Sequence, residues 1–166
     1  MKILLRTLLY LALSIWVGAE FFFPFVAARV FLTLKPDTHT AGRIVGPLLN
    51  NLHVLGLIAA LLLLLVLTTM LLSGFYRAHH TALMMTLVVL MATLTLYSEF
   101  VITPAMERDR VAAGGTIDNA TSANSARLDF RHLHEHSERV EGVILISGLF
   151  TLLILAQAER LQQTGQ

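Results

Sequence analysis

The stretch PLLNNLHVLGLIAALLLLLVLTTMLL, Pro47 to Leu72, decides the fold. Beyond Asn50, Asn51 and His53 it carries almost nothing that water would solvate. A helix rising about 1.5 Å per residue crosses a hydrocarbon core of about 30 Å in roughly 20 such residues. Three further stretches read the same way: Ile3 to Phe31, Thr81 to Thr103 and Val140 to Ala158. The last is expected to begin earlier, near Asp129, a residue type that suits an N-cap. The expected elements are helices over about 3–31, 47–72, 81–103 and 129–158, with Pro24 kinking the first or ending its regular part.

Composition agrees. Of 166 residues, 55% are hydrophobic and only 14% charged, against about 25% charged in soluble domains. A net charge of +1 offers no basic face for nucleic acid. The absence of cysteine excludes disulfides, thiolate metal sites and cysteine nucleophiles. Lys2 and Arg6 before an apolar run, with Val17-Gly18-Ala19 after it, imitate a secretion signal. The run continues through Phe21, Phe22, Phe23, Phe25 and Val26, so it reads as a retained membrane helix. The expectation is one all-α domain over 1–166, an up-down four-helix transmembrane bundle.

The connections differ. Leu32 to Gly46 reads as a medium loop, Ser73 to His80 as a short turn, and Pro104 to Leu128 as a long polar loop. Lys2, Arg6 and Arg77 favour cytoplasmic termini, in a bacterial inner membrane, with the longer loops outside.

Each apolar stretch carries an ionisable residue near one shared end. Taking Arg6, Leu72, Thr81 and Ala156 as the opposite ends, Glu20 lies about 21 Å along its helix, His53 about 28 Å and Glu99 about 27 Å. On the fourth helix Glu141, Glu138 and His134 lie at about 22, 27 and 33 Å. His134, Ser137, Glu138 and Glu141 share a stripe about 100° wide, whereas His132, His136 and Arg139 point elsewhere. Asn50 pairs in phase with His53, and Ala92 and Thr95 with Glu99. Charges inside a bilayer persist mainly where they pair, bind ions or face a cavity.

Simpler readings exist for each residue alone. Glu20 suits a protonated carboxyl bonded to a neighbouring helix, and His53 and His134 suit interfacial side chains. Glu135 and Arg139 suit a solvated i, i+4 pair, and His79 and His80 the headgroup layer at the opposite surface. Together, Glu20, His53, Glu99, His134, Glu138 and Glu141 read as metal ligands, because carboxylates gathered without cations repel. Trp16, Asn50, Tyr97 and Ser137 are the expected supporting residues. The donor set suits one or two divalent ions of iron, manganese, zinc or copper. Its inventory is that of di-iron carboxylate bundles, without their Glu-x-x-His spacing. Two redox metals would act on a membrane-soluble small molecule. The alternatives are a b-type haem on His53 and His134 for electron transfer, and metal or proton permeation through Glu20 and Glu99. A complete alternating-access transporter built on four spans would need to oligomerise.

Several short patterns carry a family resemblance. They are Trp16-x-Gly18 with Phe21-Phe22, Ala41-Gly42-Arg43 with Gly46, Tyr97-x-x-Phe100 leading to Pro104, and Phe130-x-x-Leu133-His134-x-x-Ser137. In order and spacing the chain resembles the small four-span proteins similar to transmembrane protein 205, described as domain of unknown function 4149. The resemblance implies a four-helix membrane bundle and no agreed activity. Glu20, Glu99 and Glu135 stand where that pattern has small residues, and Glu141 where it has an amide. The glutamates therefore mark this chain as a metal-binding branch whose chemistry the resemblance does not describe.

Overall fold

The computed structural model describes residues 2–115, 117 and 124–164. All regular structure among them is helical: α1 (Lys2–Thr33), α2 (Thr38–Leu72), α3 (Ala78–Tyr97), a π turn (Ser98–Ile102), α4 (Thr103–Ala112) and α5 (Ser125–Thr164). Four rods, with α3, the π turn and α4 forming one of them, are long and apolar enough to cross a membrane. α1 packs on α2, α2 on α3, α3 on α5 and α5 back on α1, while α4 packs along α5. The expected transmembrane four-helix bundle is the observed one.

The core explains the pairing. Leu9, Leu13 and Trp16 of α1, Leu63, Leu67 and Met70 of α2, Met84, Val88 and Met91 of α3, and Ile144 and Leu155 of α5 are sealed inside. Ile58, Leu61, Leu65, Phe22, Phe25, Phe100 and Leu153 face outward. So many large exposed apolar residues suit lipid rather than water. In a bilayer they are simply lipid-facing. Two close approaches tighten the bundle. Small residues let neighbouring backbones come together in lipid, and both Gly56 and Gly148 sit where an added Cβ would lie 2.6 Å from a side-chain atom of α1.

The helix ends correct several expectations. α2 begins at Thr38, not Pro47, so the expected medium loop is a tight turn over 34–37. Asp37 explains this, since its Oδ1 accepts from the Thr40 amide at 2.9 Å and caps the helix. Pro47 and Pro24 both lie inside helices that continue past them. A proline in a membrane helix frees one carbonyl, and local adjustment can satisfy it. α2 ends in a Schellman motif: Phe75 N–H reaches Met70 O at 2.9 Å and Gly74 N–H reaches Leu71 O at 3.2 Å. Gly74 takes φ +60°, which a side chain would oppose.

The third rod does not stop at Thr103 but continues to Ala112, consuming the first part of the expected long loop. α5 starts at Ser125 because Asn124, rather than Asp129, supplies the cap: its Oδ1 accepts from Arg127 N–H at 3.3 Å. The middle of the expected loop, residues 118–123, lies outside the described residues.

At the end carrying the α2–α3 turn, three rods are tied by polar side chains that sequence reasoning had not joined. Arg6 Nη2 pairs with Glu159 Oε2 at 3.0 Å. Arg6 also donates to Gln162, and the Tyr76 hydroxyl donates to Glu159. Gln162 Nε2 donates to Phe75 O at 2.8 Å. Burial raises the Tyr76 phenol well above its ordinary range, and the Glu159 contact adds to that shift.

Candidate functional site

Midway along α2, buried His53 is held from both sides. Its Nδ1 lies 2.7 Å from Glu99 Oε2 of the π turn, and its Nε2 lies 3.0 Å from Glu141 Oε1 of α5. Ser98 Oγ donates to that same Glu141 oxygen at 2.9 Å. The second carboxylate oxygen, Glu141 Oε2, is buried and, among the described residues, has no hydrogen-bond partner. A neutral imidazole has one N–H. Both ring contacts are therefore hydrogen bonds only if His53, Glu99 and Glu141 together hold one additional proton. The site needs a cation of some kind, at minimum H⁺, to be internally consistent.

The π turn of the third rod supplies two neighbouring side chains. On a regular helix Ser98 and Glu99 would point about 100° apart. Pro104 prevents regularity, because its ring clashes with the carbonyl of residue i−4 and it has no N–H to donate. The helix widens just before it, and the Thr103 amide bonds Ser98 O, five residues back. Ser98 reaches Glu141 while Glu99 reaches His53.

Glu20 completes the layer from α1. It is 3% exposed, its Oε1 accepts from Trp16 Nε1 at 3.1 Å, and it lies within electrostatic reach of Glu141 and His53. Trp16 in turn fills the space left by Gly56. A Cβ there would meet its Nε1 at 2.6 Å and its Cε2 at 2.9 Å. Sequence reasoning missed both Ser98 and Gly56. Pro104 placed a turn and a half after Ser98, and a lone glycine within an apolar span, were the available signals.

Of the six expected ligands, Glu20, His53, Glu99 and Glu141 form one layer. His134 and Glu138 do not join it. They pair with each other at 3.4 Å, with side chains 50% and 68% exposed, and His134 stacks on Phe130. The buried line of α5 runs through Ser137, Val140, Ile144 and Ser147. The expected stripe was wider than the true interface, so its shoulder positions fall outside. Among the supporting residues, Trp16 bonds Glu20 and Ser137 is buried. Tyr97 instead points to His136, with its hydroxyl 3.3 Å from Nε2, and Asn50 is exposed. Among the described residues no three His, Asp or Glu side chains are assembled as a ready metal cage. His134 also gives His53 no axial partner for haem in this arrangement.

The chain belongs to the family described as domain of unknown function (DUF4149), whose model matches residues 11–113. That span contains Glu20, His53, Ser98 and Glu99 and stops short of Glu141. No curated protein and no solved structure matches the chain.

Proposed function

We propose that this integral membrane protein binds a cation at the His53 layer, a proton at rest and one divalent transition-metal ion in exchange. One observation carries the reading: His53 Nε2 stands 3.0 Å from Glu141 Oε1, beside a buried carboxylate oxygen that has no partner. Two donors bound to one ion at about 2.0–2.2 Å and near a right angle stand about 3 Å apart. Those two atoms already describe one edge of a coordination sphere. Nδ1 rests on Glu99, and metal-bound imidazoles usually have their other nitrogen held by a carboxylate in this way. His53, Glu141 and, after turning from Trp16, Glu20 are the ligands. Glu99 orients the imidazole, and His134 and Glu138 stay outside.

Imidazole and carboxylate donors suit iron, manganese, zinc or copper(II). A redox-active ion would give the site electron chemistry toward a membrane-soluble molecule; zinc would leave an exchange site. Binding at Nε2 requires that nitrogen to release its proton, so uptake is linked to proton release. With Lys2, Arg6 and Arg77 on the cytoplasmic side of a bacterial inner membrane, the site lies in the outward half.

A second reading uses the same atoms without a metal. Glu99, His53, Glu141 and Ser98 form a hydrogen-bonded relay across α2, α3 and α5. Leu63, Leu67, Met70 and Met91 fill the core towards the α2–α3 turn, so the relay serves one face only. Elemental analysis of purified protein decides between the two. Near-stoichiometric metal that is lost in Glu141→Ala, with proton release on titration, supports the exchange site. Metal-free protein whose single tryptophan, Trp16, ignores added Mn²⁺, Zn²⁺ and Cu²⁺ leaves only the relay.

A further inference from the structure

At the opposite end of the bundle a cleft of about 390 Å³ opens between the α2–α3 turn and the end of α5. Phe75, Tyr76, Arg77, His80, Leu161 and Gln162 are among its walls. Its polar walls fall into two groups. Tyr76 and Gln162 are already engaged, the first with Glu159 and the second with Arg6 and Phe75 O, so they shape the cleft. Arg77 and His80 are not. Arg77 stands at the start of α3 with no side-chain cap bond. His80 is 7% exposed and stacks on His79 with ring centroids 3.9 Å apart, and among the described residues its ring nitrogens meet no hydrogen-bond partner.

The His80 ring nitrogens are not among the sealed unpartnered atoms, so a ligand entering the cleft can meet them. The first amides of α3, at Ala78 and His79, have no intrahelical acceptor and carry the positive end of a helix of 20 residues. Lys2 Nζ lies 6.0 Å from the Phe75 ring centroid and adds positive charge beside the cleft, whereas Arg6, 5.1 Å from that ring, is balanced by Glu159. The carboxylate of Glu159 is held by Arg6 and Tyr76. Donors without acceptors, a helix N-terminus and local positive charge all favour an oxyanion.

We infer that this cleft binds a phosphate ester, with Arg77 and His80 as its side-chain donors. Its position, where α2 leaves the apolar layer at Leu72, is the depth of lipid phosphates. A headgroup and a soluble phosphate ester share the recognised chemistry.

The test uses the full chain in micelles. Retention of phosphatidylglycerol and of the phosphate-free lipid dioleoylglycerol is measured by native mass spectrometry for wild type, R77Q/H80Q and the distant control R108Q. Selective phosphatidylglycerol retention, weakened about tenfold or more in R77Q/H80Q and unchanged in R108Q, is the expected result. Displacement by excess inorganic phosphate would assign the site to a soluble ester, and persistence to a lipid headgroup; either supports the cleft. Equal retention of dioleoylglycerol overturns the inference. So does wild-type retention by R77Q/H80Q with native Trp16 emission. If the double variant loses that emission, R77Q alone is read by the same criteria.

Discussion

Replacing Gly56 by alanine tests how the His53 layer is built. The new methyl carbon would lie 2.6 Å from Trp16 Nε1, 2.9 Å from Cε2 and 3.2 Å from Cζ2. Non-bonded atoms prefer about 3.5–4.0 Å, so the overlap approaches 1 Å. It falls on a rigid ring with 0% exposure, which has nowhere to retreat. Overpacking of this kind costs about 1–3 kcal/mol. If the indole moves, the buried Glu20 carboxyl loses its donor, which adds about 1–3 kcal/mol. Gly18 and Gly142 provide the controls, since a Cβ at either meets nothing within 4 Å. Alanine there should be neutral or stabilising by up to about 1 kcal/mol. Trp16 is the only tryptophan, so its emission reports the site directly. Gly56→Ala should shift that emission and lower the thermal midpoint by about 5 °C or more, while Gly18→Ala does neither. Equal midpoints and identical emission for the two variants would refute the proposed packing of Trp16 against α2.

Three other outcomes follow from the same geometry. His53→Leu leaves Glu99 and Glu141 without their shared partner and should cost about 3–5 kcal/mol; adding E99Q and E141Q in that background should restore most of it, as measured by denaturant titration in micelles. Gly148→Ala brings a Cβ to 2.6 Å from Val17 Cγ2 and 3.2 Å from Met91 Cε. It should destabilise by about 1–3 kcal/mol, with Met91→Ala relieving only the smaller part, because Met91 is flexible and β-branched Val17 is not. The Tyr76 phenol is raised by burial first and by its bond to Glu159 second. A raised phenol favours the neutral form, so its contribution is fully present below the unfolded value near 10 and is lost as pH rises through the folded one. Thermal midpoints of wild type should therefore fall in strong alkali more steeply than those of Tyr76→Phe; parallel curves would count against the Tyr76–Glu159 bond at that end.

The span count, the antiparallel α2–α3 pair and the common depth of Glu20, His53, Glu99 and Glu141 were all legible in the chain. Apolar length and residue counting along a helix depend only on local geometry, which is why they transfer from sequence to structure. Helix ends were harder. Asp37 and Asn124 cap helices that extend well beyond the apolar runs, and a hydropathy reading stops where apolarity stops. The phase on α5 was read one shoulder too wide, admitting His134 and Glu138.

Periodicity and burial cost settled by themselves that this is a membrane bundle with carboxylates and an imidazole at one level. Tertiary packing alone decided which atoms meet. Glu99 meets His53 from the π turn before Pro104, and Trp16 meets Glu20 where Gly56 leaves room for the indole. The first is a contact between helices; the second is an i, i+4 bond within α1 whose indole is seated by α2. Both are set by neighbours far away in the chain, which no count along a single helix contains.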